Sequence, residues 1–393
     1  MNMKRKSAKE LLTEMKDISE LMLDLSYSAV IYENKEIACE VLKLEKQMDS
    51  LLYSARIMIM LGARNVEDAE KLSGVLQIAS AAEKISNAAG DIAKVALAKD
   101  VPRDLRDELS DLEEGVMSLK VGEDSPLRGK KLREVEADAG MRVFAMKRGR
   151  RWIYSPEESE VLRAGDTIFL VGPTECVLKL HEARGEPVAK EAERKPPAVE
   201  KAIDMLVEMK NISELIVGLA YSAVLFYDKE IAKEVQNLER KMDGMKDELE
   251  FLVLSAAKEV EESRFNELRG LLHIATSSEI ISDAAYEIAD VVLRGMELHP
   301  VFMASVRESD EVISKMEVQN ENISGKTLGE LEIESGTGMF VLAVCKKDGR
   351  CYYNPAADIT VEKGDVVIAR GPKEGEEKLR DILMGKGVRA ALA

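Results

Sequence analysis

Carboxylates set one helical turn apart are the residues of this chain best suited to chemistry. Glu45 and Asp49 recur as Glu239 and Asp243, and Glu83, Asn87 and Asp91 recur as Glu279, Asp283 and Glu287. On a helix, positions i and i+4 share a face, so each set points its oxygens in one direction, where like charges repel. A bound cation would relieve that repulsion, and carboxylate oxygens suit hard or first-row divalent ions, iron included. On a helical wheel Glu45 and Asp49 sit about 65° and 105° from the centre of their apolar stripe, a border position that water also satisfies. Glu83 instead falls inside the stripe of Leu72, Leu76, Ala79 and Gly90, and Glu279 repeats this beside Ala275 and Ser282. An acid aimed into a bundle must meet a cation or hydrogen-bond donors, or hold a proton. Spacing alone leaves a metal, an arginine and a pair of serines open. The second set is the stronger metal candidate, because Asn87 lacks the charge that Asp283 carries.

The elements that position these acids are written twice. From Leu12 to Asp49 and from Leu206 to Asp243, 38 positions align at a constant offset of 194 with 23 identities. Such an internal repeat sets the domain plan. In the first copy Ser7-Ala8-Lys9-Glu10 has the form of a capping box, and Leu11, Met15, Ile18, Met22 and Leu25 follow at helical spacing. Asn34 is placed to cap a second helix carrying Ile37, Val41, Leu44 and Met48 and running to about Leu61. Asn65 is placed to cap a third, reaching about Lys99. Short joints make consecutive helices antiparallel, so each copy predicts a three-helix bundle over 1–100 and 199–297. Connecting helices are expected over 101–116 and 298–316.

Each bundle is followed by a segment with short apolar runs and glycine punctuation, over 117–184 and 317–393, which predicts a small α+β sheet domain. Hairpin turns are expected at Arg148-Gly149 and Asp348-Gly349. Gly-Asp precedes the last strand in both copies, and Gly-Pro follows it. Trp152, Tyr154, Tyr352 and Tyr353 fall on the second hairpin strand, where aromatic side chains pack a sheet or an interface. Residues 185–198, polar and proline-bearing, are expected to be a linker. The fold class expected is therefore α+β, two helical bundles alternating with two small sheet domains.

Composition narrows the function classes. The 393 residues are 46% hydrophobic and 33% charged with a net charge of −17, which fits a globular protein and argues against a nucleic-acid partner. No run reads as a membrane span and no leader is seen at the N-terminus, so a cytoplasmic location is expected. Cys39, Cys176, Cys345 and Cys351 show no Cys-x-x-Cys spacing, and free thiols are expected. His181, His273 and His299 are scattered, no catalytic constellation is visible, and the chain is not expected to be an enzyme.

The bundles resemble the PhoU family, which carries a Glu/Asp-x-x-x-Asp motif on one helix and a Glu-Arg-Ile-x-Asp-His-Ala-type motif on the next. Here these stand as Glu45 to Asp49 and Glu239 to Asp243, then Glu83 to Asp91 and Glu279 to Glu287, with Asn87 replacing an acid and Ala88 and Ala284 replacing the usual histidine. The resemblance implies metal at these clusters. The sheet domains resemble the TrkA C-terminal (RCK-C) family, through Ser125-Pro-Leu127-Arg-Gly129-Lys130-Lys-Leu132-Arg-Glu134, the later Pro156 or Pro355, the Gly-Asp pair and the closing Gly-Pro. That family implies a ligand-sensing regulator of potassium transport acting on a membrane transporter or channel encoded elsewhere. No Gly-x-Gly-x-x-Gly is present, so bound NAD is not expected. A PhoU-like regulator of phosphate transport and a scaffold without ligand are the alternatives.

TrkA C-terminal domains are similar to pair-forming modules whose ligands, cyclic dinucleotides in some relatives, bind where two copies meet. The resemblance therefore implies an internal pseudo-dimer of the two sheet domains, with further oligomerisation open, and a nucleotide site between them. Its expected walls are Met141, Arg142, Val143 and Pro156 from the first domain and Met339, Phe340, Val341, Asn354 and Pro355 from the second, although strand alternation sends every other one of these into its own core. Contact with the membrane is expected only through the protein partner, since an acidic surface is repelled by anionic lipid.

Overall fold

The computed structural model describes residues 6–98, 100–102, 105, 114–139, 141–149, 151–154, 156–157, 159–173, 197–309 and 311–385. The expected linker 185–198 lies outside these but for its last two residues, as do Cys176 and His181. The chain gathers into two compact units: Met1–Leu109 with Ala192–Ser309, and Ser110–Glu191 with Asp310–Ala393. The two bundles thus share one unit and the two sheet domains share the other.

In the helical unit the first bundle is α1 (Ala8–Ile31), α2 (Lys35–Gly62) and α3 (Val66–Ala98). Local chemistry sets their starts. Ser7 and Glu10 form the predicted capping box, Asn34 accepts from the amides of Glu36 and Ile37, and Asn65 accepts from that of Asp68. The second bundle is α5 (Pro197–Phe226), α6 (Lys229–Ala256) and α7 (Phe265–Leu293), followed by α8 (Pro300–Glu308); α4 (Leu132–Ala139) belongs to the sheet unit. Asp228 caps α6 as Asn34 caps α2. By length and composition alone α5 is long and apolar enough to cross a membrane, against the expectation that no segment reads so. Here most of it is buried, because α5 packs against both α6 and α7.

The bundles join through α3 and α7, which run antiparallel. Gly74, near the start of α3, lies against Val291, Met296 and Leu298, while Gly270, near the start of α7, lies against the backbone of Asp100. A Cβ at Gly270 would stand 1.7 Å from the Asp100 carbonyl oxygen, so only glycine permits this approach. Methionines and branched aliphatics fill the interior: Met15, Met22, Met48, Met209 and Met242 are each at most 1% exposed, and full burial of one such side chain contributes roughly 1.5–3 kcal/mol.

The sheet unit holds two antiparallel sheets of one topology. The first comprises β1 (Glu114–Lys120), β2 (Arg142–Arg148), β3 (Arg151–Tyr154) and β4 (Thr167–Pro173) in the order β1-β4-β2-β3, with helix α4 (Leu132–Ala139). The second comprises β5 (Glu311–Glu317), β7 (Phe340–Cys345), β8 (Cys351–Tyr353) and β10 (Val366–Pro372) in the order β5-β10-β7-β8. It adds a small ribbon of β6 (Lys326–Thr327) with β9 (Thr360–Val361), and helices α9 (Leu328–Leu331), α10 (Ile333–Thr337) and α11 (Lys373–Met384). Each domain opens on a strand, at Glu114 and Glu311, inside the stretches expected to be connecting helices. Alternation decides it: in β5 Val312 and Ser314 face one way and Ile313 and Lys315 the other, and pairing with β10 satisfies the backbone.

Both hairpins turn where expected, on Gly149 and Gly349 with positive φ. The Gly-Asp motif has a structural reason. Asp166 is 1% exposed, accepts from the Arg163 amide at 2.8 Å and takes two hydrogen bonds from Arg148. Asp365, also 1% exposed, accepts from the Glu362 amide and from Lys346. Burial opposes the charge on Asp166, but Arg148 and the amide outweigh it and hold the carboxyl below its usual range. The second domain departs from the sequence reading at its hairpin, where Cys345 and Cys351, directly opposed across β7 and β8, form a disulfide. Cys39 is free and exposed.

Candidate functional site

In the second bundle three of the five expected acids converge. Glu239, half-buried on α6, Asp243, exposed one turn on, and Asp283 on α7 can bring one oxygen each within 4.8 Å of one another. Glu279 stands beside them, with the Lys246 ammonium 3.5 Å from its carboxylate. The electrostatics match a site short of positive charge. Burial raises the pKa of Glu239 and then Asp243 and Asp283 add to it, while Asp283 is raised by burial, by Glu279 and by Asp243, against the weaker opposition of Lys246. Three carboxylate oxygens from two helices fit a divalent cation by donor type and charge. Glu287 does not join them: its carboxylate takes the Lys84 ammonium of α3 at 2.5 Å.

The first bundle solves the same problem differently. Lys94 stands 2.7 Å from Asp91 and 3.6 Å from Glu45, while Glu83 accepts from the Asn87 amide at 2.9 Å. Glu45 folds over Gly90, whose missing side chain leaves the room: a Cβ there would meet its Oε2 at 2.7 Å. Burial works against the Lys94 charge, yet Asp91 and Glu45 raise its pKa. Of the residues expected to form a metal cluster here, Glu45 and Asp91 thus meet Lys94 and Glu83 meets Asn87. A lysine serves as the cation and an asparagine replaces one acid. The acid spacing does not point to Lys94; the signal for it is its place one turn past Gly90 on α3.

In the sheet unit Arg142 bonds Glu311 across the two domains. Arg370 stands 3.5 Å from the other oxygen of Glu311, so one acid lies between two guanidinium groups, all three side chains being 12–18% exposed. Helix α10 of the second domain also packs on β4 of the first. Arg142 is thus at the seam between domains, as expected, with its charge directed to Glu311. Phe340 sits opposite Arg370 in the β7–β10 register and is half-buried. Met141 and Val143, and likewise Met339 and Val341, lie in the cores of their own domains rather than at the seam. Pro156 and Pro355 are half-buried after β3 and β8, and Asn354 is exposed with a positive φ. Trp152 stacks on Phe169 at 5.1 Å and on Tyr154 at 6.3 Å, packing the sheet as aromatic strand residues do.

A buried polar exchange at the heart of the helical unit was not foreseen. Lys16 and Glu20 pair at 2.5 Å with both side chains under 5% exposed, and Lys16 lies 5.3 Å from the ring centre of Tyr221 and bonds Ser309. The repeat-related Tyr27 bonds Ser278 and lies near Ser213 and Glu214. Each half therefore inserts its tyrosine against the Lys-x-x-Ser-Glu turn of the other. Burial pushes both phenols well above their ordinary pKa.

With this geometry in hand, comparison with known proteins is direct. The PhoU domain family model matches residues 12–96 and 206–292, and the TrkA-C domain family model matches 116–184 and 315–384. The chain belongs to the PhoU and TrkA-C domain families and carries each domain twice. A relative in Bacillus subtilis, the K(+)/H(+) antiporter subunit KhtT, is 31% identical over 129 residues, which is 32% of this chain and 77% of the relative. Among solved structures, PhoU from Pseudomonas aeruginosa is similar with a TM-score of 0.41 at 14% identity, over 73% of this chain and 96% of that one. The GsuK RCK domain is similar with a TM-score of 0.18 at 12% identity, over 69% and 63%.

Proposed function

We propose that this chain is a cytoplasmic regulatory subunit of a separately encoded membrane transporter of cations, with potassium as the ion, and that it has no catalytic activity. Kinship with a K(+)/H(+) antiporter subunit is the observation that carries the reading. The two TrkA-C domains in one compact unit, joined by the Arg142–Glu311 bond, support a sensor formed where they meet, for which we propose Arg142, Phe340, Pro156, Asn354 and Pro355 as ligand-binding residues and a nucleotide, a cyclic dinucleotide among them, as ligand. For a nucleotide phosphate to engage Arg142 it would have to compete with Glu311, so binding is expected to weaken the inter-domain ion pair.

Glu239, Asp243 and Asp283 would hold a divalent ion, which would tie α6 to α7 and relieve their mutual repulsion. The cluster also favours a second reading, a PhoU-like regulator of phosphate transport that uses this ion. Two measurements test the proposal. Purified protein added to vesicles bearing the transporter from the same genome should change potassium flux by several-fold, and unchanged flux with the protein bound or unbound would remove the potassium reading. Calorimetric titration of cyclic di-AMP and adenine nucleotides should show binding that Arg142→Ala weakens; no binding below about 100 μM, roughly −5.5 kcal/mol, would remove the nucleotide.

A further inference from the structure

Two cysteines that the functions above leave unused face each other across the hairpin of the second sheet domain. Cys345 on β7 and Cys351 on β8 are 6 positions apart, joined by a disulfide, and both partly exposed. The first sheet domain builds the same hairpin without such a bond. Arg148 donates to Asp166 where Lys346 donates to Asp365, so the residues before them, Lys147 and Cys345, hold equivalent places. Lys147 stands opposite Trp152 in the β2–β3 register as Cys345 stands opposite Cys351. The strand order is the same in both sheets, so the topology does not require the bond.

Other contacts hold the second hairpin when the sulfurs part. The Lys346 amide donates to the Arg350 carbonyl at 2.7 Å, and the Lys346 ammonium bonds Asp365 at 2.7 Å and the Thr360 carbonyl at 2.6 Å. A closed loop this short also removes little entropy from the unfolded chain. The element that the bond secures is β8, three residues long, at the edge of its sheet and paired there with β7. A short strand held by one ladder is among the first parts of a sheet to open. Directly after it Asn354, with positive φ, donates its amide to the Leu342 carbonyl at 3.0 Å.

We propose that Cys345 and Cys351 are an exchange site for low-molecular-mass thiols such as glutathione, and that their reduction releases β8 and Asn354 while the domain stays folded. The physiological part rests on the cytoplasmic placement proposed above, since a disulfide in a reducing compartment is generally transient and redox-sensing. Cys39, exposed and kept as a free thiol, is in keeping with that compartment. A small thiolate attacks one Sγ, the protein S–S bond breaks, and the other Sγ leaves as a thiolate and takes up a proton. A second small thiolate then attacks the small thiol's sulfur in the mixed disulfide, forming the small disulfide and expelling the remaining cysteine, which is protonated in turn. The protein gains two electrons and two protons from two thiols, and the small disulfide runs the sequence back.

The test equilibrates the full chain in glutathione buffers of about 5 mM total concentration and varied redox ratio, then quenches with acid, alkylates and weighs the peptides. With reduced glutathione in roughly hundredfold excess at least half of the Cys345 and Cys351 peptides should carry two alkyl groups, and with oxidised glutathione in excess they should be recovered joined. Hydrogen exchange reads the consequence. On reduction the Asn354 amide should exchange at least tenfold faster, while the amides of the β2–β3 hairpin keep their rates. Cys345→Ser with Cys351→Ser should show the fast Asn354 rate in both buffers, with circular dichroism verifying its fold.

A bond that stays joined under that excess of reduced glutathione would overturn the proposal, by making the pair a structural staple. Thiols that fail to rejoin in oxidised glutathione would overturn it as well, and so would an Asn354 rate that is the same in both states. Faster exchange throughout β5 and β10 on reduction would do so by showing that the bond holds the whole domain. All of these are read on purified protein, so their failure is separate from a failure of the cytoplasmic reading, which fractionation of cells reports.

Discussion

Tyr27 Oη and Ser278 Oγ lie 3.0 Å apart in the interior of the helical unit, a hydrogen bond between residues 251 positions apart that ties one repeat to the other. The repeat-related tyrosine has no such partner. Tyr221 Oη lies near Ser19 outside hydrogen-bond geometry, and the position matching Ser278 is Ala82, itself buried. A buried hydroxyl without a partner costs about 1–3 kcal/mol. Ser278→Ala should therefore destabilise the protein by roughly 1–2 kcal/mol, and Ala82→Ser should stabilise it by roughly 1 kcal/mol. Chemical denaturation of both variants measures this, and a destabilised Ala82→Ser would show that the site has no room for the hydroxyl.

The acid cluster makes a pH prediction with a definite sign. Glu239 and Asp283 have folded pKa values above their unfolded ones, so the folded state holds more protons and stability falls as pH rises through the raised values. The contribution is complete below the ordinary carboxylate range, near pH 4, and is lost above the raised values. Melting temperature followed from pH 4 to 8 should thus drop more steeply in the parent than in Glu239→Gln with Asp283→Asn. A divalent ion at millimolar concentration should flatten the parent and leave the variant unmoved. Equal slopes without ion would contradict the assignment.

The ion triad at the domain seam predicts unequal costs for its members. Arg142→Ala removes one of the two ion pairs that Glu311 makes at the seam, whereas Glu311→Ala removes both. Glu311→Ala should cost roughly 2–3 kcal/mol of sheet-unit stability and Arg142→Ala about half of that. A double-mutant cycle in urea measures the coupling, and additive effects would deny the contact.

The hairpin disulfide should be seen by mass spectrometry. Without reductant, the Cys345 and Cys351 peptides should be recovered joined and refractory to alkylation, while exposed Cys39 reacts. Replacing both cysteines by serine should cost about 2 kcal/mol, modest because the closed loop is short. Free thiols at both positions in air-oxidised protein would remove the bond.

What the sequence disclosed was local. Ser7 with Glu10, Asn34 and Asn65 act within one turn of their own position, so the caps and the bundles they start were readable. The convergence of Glu239 with Asp243 and Asp283 followed from helix periodicity and a short joint. The partners that decide charge were not readable, because they arrive from far along the chain: Lys84 reaches Glu287 across 203 positions and Arg142 reaches Glu311 across 169. Lys94 is the exception, since it lies three residues beyond Asp91 and helical spacing alone puts its ammonium beside that acid. Cys345 and Cys351 flank the predicted Asp348-Gly349 turn, so strand pairing alone would have opposed them.

Lys94 in one bundle and the open carboxylates of the other have a consequence for stoichiometry. Two identical subunits would be obliged to present the same side chain at both places and would titrate as a matched pair. Covalent duplication lifts that obligation, and here one copy sets Lys94 against Asp91 and Glu45 while the other leaves Glu239, Asp243 and Asp283 gathered together. Any ion these acids take up is taken up once per chain, so occupancy should follow a simple hyperbola, and the response should grade smoothly with concentration instead of switching at a threshold.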